Sequence, residues 1–214
     1  GYFVQHTLSP DLSAQMNQLS RSHNTTPFIT LTAAFRLLLY HLTGQTDFAI
    51  GTPVANRAEA ELRDLVAFCL NTVALRAPFD PDAPFTDNLD AERTTALSAY
   101  DHADVGFDEV VKALKPRRDP AYSPVFQVMS VWNEGGDLPD FDGLTAELLT
   151  VDYGVSKFDL TLFAGQAGDR LTLALEANRD LFTRETVAHW LTLYETLLRG
   201  FIAQPNAISA DIAL

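Results

Sequence analysis

Short apolar runs along this chain predict the core strands of a β-sheet. They lie within Asp47–Arg57, Ala67–Arg76 and Val125–Asn133. Each run is too short for a buried helix and is bounded by turn-forming residues, a pattern typical of buried strands. In the first run, Gly51 and Pro53 form a corner, because glycine permits unusual backbone torsions and proline fixes the next one.

Two later segments alternate between apolar and polar residues with a period of two. Phe158–Leu162 and Leu171–Leu175 show this alternation and are joined by Gly165–Asp169, which predicts a β-hairpin. Tyr2–Leu8 and Leu144–Val151 are weaker candidates for outer strands.

Helices are predicted where apolar residues recur at helical spacing. Ser9 and Thr26 each precede a proline, an arrangement typical of a helix start, and Gly44 follows the second helix as a stop signal. Thr183 is the predicted cap of the last helix. The five predicted helices begin near Pro10, Pro27, Phe85, Phe107 and Arg184.

The overall charge of the chain argues against nucleic acid and anionic membrane as partners. The chain has 214 residues, with 28 acidic and 15 basic side chains and a formal charge of −13. Both kinds of partner are bound mainly through basic residues. No apolar run approaches the roughly 20 residues of a membrane span. The single cysteine, Cys69, lies in an apolar run and is expected to be a buried thiol, which suits a reducing, cytoplasmic compartment.

One concentrated positive cluster stands out in this acidic protein. It consists of Lys112, Lys115, Arg117 and Arg118. Two interpretations remain open: a solvated helix end whose cations offset the helix dipole, or a contact surface for an acidic partner.

Familiar catalytic patterns are missing from the chain. The five histidines are scattered without metal-ligand spacing, and no Gly-x-Ser-x-Gly elbow occurs. His102 and Asp104 could be a base and its orienting acid, but a structural role is favoured. We therefore predict no metal site and no catalytic residue.

Four segments resemble, in order, the motifs of the condensation domains of nonribosomal peptide synthetases. The family motifs are Ile-Gly-Thr-Pro-Val-Ala-x-Arg, Phe-Phe-Val-Asn-Thr-x-x-x-Arg, His-Gln-Asp-x-Pro-Phe-Glu and Arg-Asp-x-Ser-x-x-Pro-Leu-Phe-Gln-Val-Met. The corresponding segments are Ile50–Arg57, Phe68–Arg76, His102–Asp108 and Arg118–Met129. Together they extend over much of the chain.

The resemblance implies a fold and a division into lobes. The family's catalytic His-His-x-x-x-Asp-Gly lies in the first half of a domain about twice this long, and no adjacent histidines occur here. Residues 1–204 are thus expected to be the C-terminal lobe, and 205–214 the start of a linker to the next domain. Such a lobe is an α/β two-layer sandwich of the chloramphenicol-acetyltransferase type, with a mixed sheet and helices packed on one face.

The reaction that the resemblance implies joins acyl groups carried on phosphopantetheine arms, in a tunnel between two lobes. Alone, this lobe is expected to be inactive and to bind no cofactor. Its partners would be the N-terminal lobe, donor and acceptor carrier domains and an adjoining adenylation domain. The candidate tunnel residues are Asn56, Arg57, Gln127, Ser130, Trp132 and Asn133, with Asn71 and Thr72 in the second strand.

Structural roles compete with tunnel roles for Asn71 and Gln127, because a buried amide needs hydrogen-bond partners. The alternative function is a catalytically silent platform that recruits a tailoring enzyme, or the lobe of an epimerisation or cyclisation domain.

Overall fold

The computed structural model describes residues 1–55, 65–67, 69–117, 119–133, 142–145 and 154–212. Within these ranges the chain forms six strands and five α-helices. The strands are β1 (Tyr2–Thr7), β2 (Ile50–Ala55), β3 (Leu70–Leu75), β4 (Val128–Asn133), β5 (Leu160–Ala167) and β6 (Arg170–Ala177). The helices are α1 (Pro10–Ser22), α2 (Pro27–Thr43), α3 (Phe85–Asp101), α4 (Phe107–Leu114) and α5 (Arg184–Ala203), and Ser209–Asp211 is a short 3₁₀ helix.

The strands form one mixed sheet in the order β1-β6-β5-β4-β2-β3. β2, β4 and β5 are parallel, and the other neighbours are antiparallel. The long helices cover one face: α5 packs on β1 and β6, α2 on β4 and β5, and α3 on β3. The α/β fold with a mixed sheet and a helical layer is confirmed.

Helix starts follow the signals in the sequence. The hydroxyls of Ser9, Thr26 and Thr183 accept hydrogen bonds from the backbone N–H groups three residues later, which satisfies donors that a helix leaves free. Gly44 ends α2 with a φ of 70°, in the left-handed region that glycine adopts most readily. The three predicted caps are confirmed.

The ladder between β2 and β4 is short. In the described residues their register consists of one pair, Gly51 with Met129. Pro53 follows in β2 and has no N–H to donate, which fits a place where neighbouring strands diverge. The sheet therefore consists of a four-stranded part, β1-β6-β5-β4, and a two-stranded ribbon, β2-β3.

A buried arginine anchors this ribbon to the helices. Arg36 in α2 is 2% exposed and pairs with Glu92 of α3, with 2.6 Å between Nε and Oε2. Its remaining nitrogens donate to the carbonyls of Phe48 and Leu75, both at 2.8 Å. One side chain thus joins two helices to the segments at the end of the ribbon.

The start of β4 was predicted incorrectly. The strand begins at Val128 rather than Val125, and Pro124 lies before it in a turn. Val125 has a φ of 73°, outside the extended region, and Phe126 instead packs its ring against Gly51. A long-range contact between these two residues shortens the strand.

The tail after α5 packs on the body of the protein as far as Ile212. Ser209 is fully buried and accepts a hydrogen bond from Asn88, while Ile212 lies against Gly200 in the core. Residues 205–212 therefore pack against the folded unit. Whether they lead to another domain stays a prediction.

Several expectations fall wholly or mainly outside the described residues. They concern the loop after Arg57, the loop after Asn133 and the outer strand at Leu144–Val151. Cys69 is described and is half-buried, not fully buried as expected.

Candidate functional site

Residues from three of the motif segments meet at one corner of the sheet, beside the start of β2. The Phe126 ring lies so close to Gly51 that a Cβ atom there would be 2.2 Å from it. Phe107 and Phe158 pack on the same ring, with centroids 5.3 Å and 5.4 Å away. We call Phe107, Phe126 and Phe158 the aromatic corner. Gly51 is needed there because any side chain would displace Phe126.

Asn71 connects the remaining motif segment to this corner. Its Nδ2 donates to the carbonyls of Ala103 and Val105 at 2.8 Å and 2.7 Å, and its Oδ1 accepts from the N–H of Phe107 at 3.2 Å. This fixes the loop before α4 and so positions the helix. Asn71 thus has the structural role that competed with a tunnel role in the sequence analysis.

A wide groove of about 1140 Å³ lies between α4 and the segment after it. Among the described residues, three cations line it, Lys112, Lys115 and Arg117, together with one acid, Asp119. Its apolar lining includes Val111, Tyr122 and three prolines, Pro116, Pro120 and Pro124. We call it the basic groove.

Only one of the three cations has a carboxylate partner among the described residues. Lys112 pairs with Asp108 at 2.7 Å, whereas no salt bridge to a described residue engages Lys115 or Arg117. These two side chains are available to an anionic group. Arg118, the fourth member of the predicted cluster, lies outside the described residues.

A smaller pocket of about 420 Å³ adjoins the basic groove and shares Tyr122, Val125 and Gln127 with it. Asp159 is one of its lining residues, and burial raises the pKa of that carboxyl. Gln127 donates from Nε2 to the carbonyl of Ser123 at 2.9 Å, which holds the turn before β4. Gln127 therefore lies at the N-terminal end of β4, not along the strand.

The opposite end of the sheet carries a second, chemically different surface. Register places Thr7, Thr172, Gly165 and Asn133 side by side across β1, β6, β5 and β4. All four are on the face of the sheet away from the long helices, because the alternate residues Leu171, Leu173 and Leu175 are buried beneath those helices. We call these four residues the polar row.

A pocket of about 240 Å³ lies on this row, and Gln5 and Phe163 also line it. Gly165 lies in the same row between Asn133 and Thr172, and a Cβ there would be 2.6 Å from the Asn133 carbonyl oxygen and 3.4 Å from Thr172 Oγ1. The six residues of β4, about 17 Å of extended strand, separate this pocket from the smaller pocket beside the basic groove.

Two candidate tunnel residues point toward the helices instead. Ser130 is 1% exposed, and its hydroxyl is 2.9 Å from that of Thr32 in α2. Trp132 is on the same face and packs against the hydrophobic core. The strand has few polar residues that mark its faces, so only the strand register shows that these two side chains face the helices. A tunnel role for Ser130 and Trp132 stays a prediction.

The other candidates are divided between the two ends. Gln127 is next to the basic groove and Asn133 is exposed in the polar row, so the structure does not bring them together. Asn56 and Arg57 lie outside the described residues. Gln5, Thr7 and Thr172 were not among the predicted side chains, although the period-two pattern of β6 places Thr172 opposite the buried leucines.

Two of the five histidines have structural partners. His6 pairs with Glu195 of α5 on the helical side, and His102 is 2.8 Å from the carbonyl of Ser98 at the end of α3. The described part of the chain has no cluster of three or more His, Cys, Asp or Glu suited to a metal ion. None of its helices combines the length and apolar composition needed to cross a membrane.

Comparison with known proteins relates the whole chain to one family. A family model described as the condensation domain matches residues 3–214. Bacitracin synthase 3 of Bacillus licheniformis is 33% identical over 99% of this chain, and malpinin synthetase of Mortierella alpina is 38% identical over 83%. The chain spans only 3% and 2% of the lengths of these two proteins.

Solved structures share the fold. The condensation domain from the monacolin K polyketide synthase MokA superposes with a TM-score of 0.85 at 22% identity, over 98% of this chain and 48% of that one. The X-domain from teicoplanin biosynthesis gives 0.90 at 19% identity, over 100% of this chain and 49% of that one. The chain thus corresponds to about half of each of these proteins.

Proposed function

Since the chain belongs to the condensation domain family, we propose that it is the C-terminal, acceptor-side lobe of a domain that forms peptide bonds in nonribosomal peptide synthesis. The amine of one carrier-bound acyl group attacks the thioester of the other, forming the amide and releasing the donor carrier's thiol. This chain supplies one wall of the tunnel in which the two groups meet.

The proposal rests on one observation: residues of the motif segments hold neighbouring elements of the fold in place rather than forming a reactive centre. Gly51, Asn71 and Phe126 hold α4 and the start of β4 in place through packing and hydrogen bonds. The imidazole of His6 is held by Glu195 away from the sheet's open face. A lobe of this kind positions substrates and leaves proton transfer to the other lobe.

Coverage of the solved structures supports the assignment to a lobe. The chain corresponds to 48% and 49% of the two structures, and the missing half would contain the catalytic histidine motif. General acid–base assistance contributes about 10² to 10⁴ in rate, so the chain alone is inactive.

The basic groove supplies the contact for a carrier domain. The protein as a whole is strongly acidic, with a formal charge of −13, yet Lys115 and Arg117 face the groove without carboxylate partners among the described residues. The phosphate of a phosphopantetheine arm is an anion that such cations bind. Of the two interpretations of the cluster, this favours contact with a partner.

A chimera tests the proposed function. The matching segment of bacitracin synthase 3 is replaced by this chain, and the product is assayed with loaded donor and acceptor carrier domains. We expect amide formation by the chimera and none by the chain alone. Amide formation by the chain alone, or a correctly folded chimera that binds both carriers but makes no amide, would contradict the proposal.

The same assay addresses the alternative of a catalytically silent platform. The likeness to the teicoplanin X-domain is below 25% identity and bears on the fold alone. A chimera that recruits carriers without joining their substrates would favour the platform.

A further inference from the structure

The smaller pocket beside the basic groove has an electronegative lining. Among its described lining residues, the charged side chains are those of Asp47 and Asp159, and the last turn of α2 contributes Leu39 and Thr43. The C-terminal end of a helix carries a partial negative charge, which adds to that of the carboxylates. The pocket is therefore suited to a cation, in contrast to the groove next to it.

The two carboxylates differ in their partners among the described residues. Asp47 forms a bidentate pair with Arg76, with nitrogen–oxygen distances of 2.7 Å and 2.6 Å. No hydrogen bond or ion pair to a described residue engages the carboxylate of Asp159, and burial raises its pKa. A partly desolvated carboxylate without a partner is stabilised by a cationic ligand.

Gln127 supplies a neutral acceptor next to this carboxylate. The backbone N–H of Asp159 donates to the Gln127 carbonyl at 3.0 Å, so the two residues are neighbours where β4 and β5 begin. The side-chain Nε2 of Gln127 donates to the carbonyl of Ser123, which leaves its Oε1 as an acceptor. An ammonium group has three N–H donors and needs several such oxygens.

The apolar part of the lining determines the shape of the ligand. Leu39, Phe48, Val125 and Val128 line the pocket, and Tyr122, which is 62% exposed, lies where the pocket joins the basic groove. Apolar side chains hold methylene groups, and aromatic rings also attract cations. A volume of about 420 Å³ accommodates a short alkyl chain with its charged end.

We propose that this pocket binds a primary alkylammonium group, whose N–H groups bond to the carboxylate of Asp159 and the amide oxygen of Gln127. The methylene groups lie along Val125 and Val128. Two sources have this chemistry, a free small amine and the side chain of a lysine in a partner peptide. The inference goes beyond the proposed function and does not depend on it.

Titration of the ¹⁵N-labelled chain with n-butylammonium chloride tests this inference by NMR. We expect the backbone amides of Phe48, Gln127 and Asp159 to shift, with an affinity of about millimolar for so small a ligand. The amides of Asn133 and Thr172, at the other end of the sheet, should not shift. The matched ligand control is 1-butanol, which has the same methylene groups without the charge and should bind about tenfold more weakly.

Asp159→Asn keeps the shape of the side chain and removes its charge. It should weaken binding of butylammonium about tenfold, the effect of losing one charge-assisted hydrogen bond. Asp169→Asn makes the same charge change in the exposed turn between β5 and β6 and should leave the affinity unchanged. Retained backbone spectra of both variants exclude loss of the fold as the cause.

Three results would overturn the inference. Butylammonium could shift none of the three pocket amides, or 1-butanol could bind as tightly as butylammonium. Equal weakening by Asp159→Asn and Asp169→Asn would mean that the formal charge of −13, and not the pocket, attracts the amine.

A second titration, with Nα-acetyl-lysine N-methylamide, distinguishes the two sources of the ammonium group. Shifts of the same three amides would assign the pocket to lysine side chains of a partner. Binding of butylammonium without binding of the lysine compound would assign it to free amines. Neither titration involves a carrier domain or a second lobe, so a negative result here leaves the proposed function standing.

Discussion

The two ends of β4 present surfaces of opposite character. At its N-terminal end, the basic groove is wide, charged and built on proline-rich turns. At its C-terminal end, the polar row is narrow, uncharged and formed directly on strands. Charged, open surfaces attract and orient a partner from a distance, whereas neutral sites on rigid strands position a ligand once it has arrived. The difference suggests that attraction and positioning are assigned to separate ends of one strand.

The supports of the two surfaces also differ. The basic groove depends on α4, which Asn71 attaches to the β2-β3 ribbon, and the ribbon depends on Arg36. The polar row belongs to the four-stranded part of the sheet. We therefore expect each surface to respond to different substitutions.

The largest expected effect comes from Arg36→Met. Removing the arginine leaves the Glu92 carboxylate buried without its partner, which costs about 3–5 kcal/mol of the free energy of unfolding. Urea denaturation measures the loss. Hydrogen exchange should show a greater loss of protection in β2 and β3 than in β5 and β6.

The matched control is the double variant Arg36→Met/Glu92→Leu, which replaces the ion pair by apolar side chains. Such replacements are often neutral, so most of the stability should return. A double variant as unstable as the single one would show that the hydrogen bonds to Phe48 and Leu75 are the greater contribution.

A smaller effect is expected from Arg117→Glu. Reversing this charge places an anion in the basic groove and should weaken binding of 4′-phosphopantetheine about tenfold, as for the loss of one charge-assisted hydrogen bond. Binding of pantetheine, which has no phosphate, should be unchanged. Isothermal titration calorimetry at two salt concentrations measures both.

Arg21→Glu is the matched control for this prediction, since it makes the same charge change at an exposed site at the end of α1. Equal weakening by the two variants would mean that overall charge, and not the groove, governs binding. The basic groove would then have no special role in attracting the anion, and the contrast between the two ends of β4 would not hold.

The smallest effect concerns Asp159, in the pocket beside the basic groove. Burial raises the pKa of its carboxyl above the ordinary value of 3.8. The folded state therefore holds the proton more tightly, so this group's contribution to stability falls as pH rises through the raised pKa. At pH 7, Asp159→Asn removes the desolvated charge and should raise the melting temperature by a few degrees at most.

At pH 3, below the ordinary pKa of 3.8, the carboxyl is largely protonated in both states, so the difference between the variant and the unaltered protein should nearly vanish. Asp169→Asn, in the exposed β5–β6 turn, controls for the change of side chain. A stabilisation of equal size at pH 3 and pH 7 would exclude the desolvated charge as its cause.

Local signals in the sequence predicted the elements that depend on local physics. Ser9, Thr26, Gly44 and Thr183 mark helix ends because capping involves only residues within one turn. The alternation in β6 likewise located the hairpin. These features need no knowledge of the rest of the chain.

Features that depend on distant contacts were predicted less well. The start of β4 is set by Phe126 packing on Gly51, some 75 residues earlier in the sequence. The face of Ser130 is set by Thr32, and the row that includes Asn133 is set by the register of four strands. A single sequence contains no direct record of such pairings.

The narrow join between β2 and β4 has a mechanical consequence. One ladder pair joins the ribbon to the rest of the sheet, and Arg36 and Asn71 attach the ribbon to the helices at its two ends. Arg36 holds the end at Phe48 and Leu75, whereas Asn71 pairs with Val54, next to Ala55, at the other end. A displacement of α4 would therefore first reach the end of the ribbon from which the chain continues to Asn56 and Arg57.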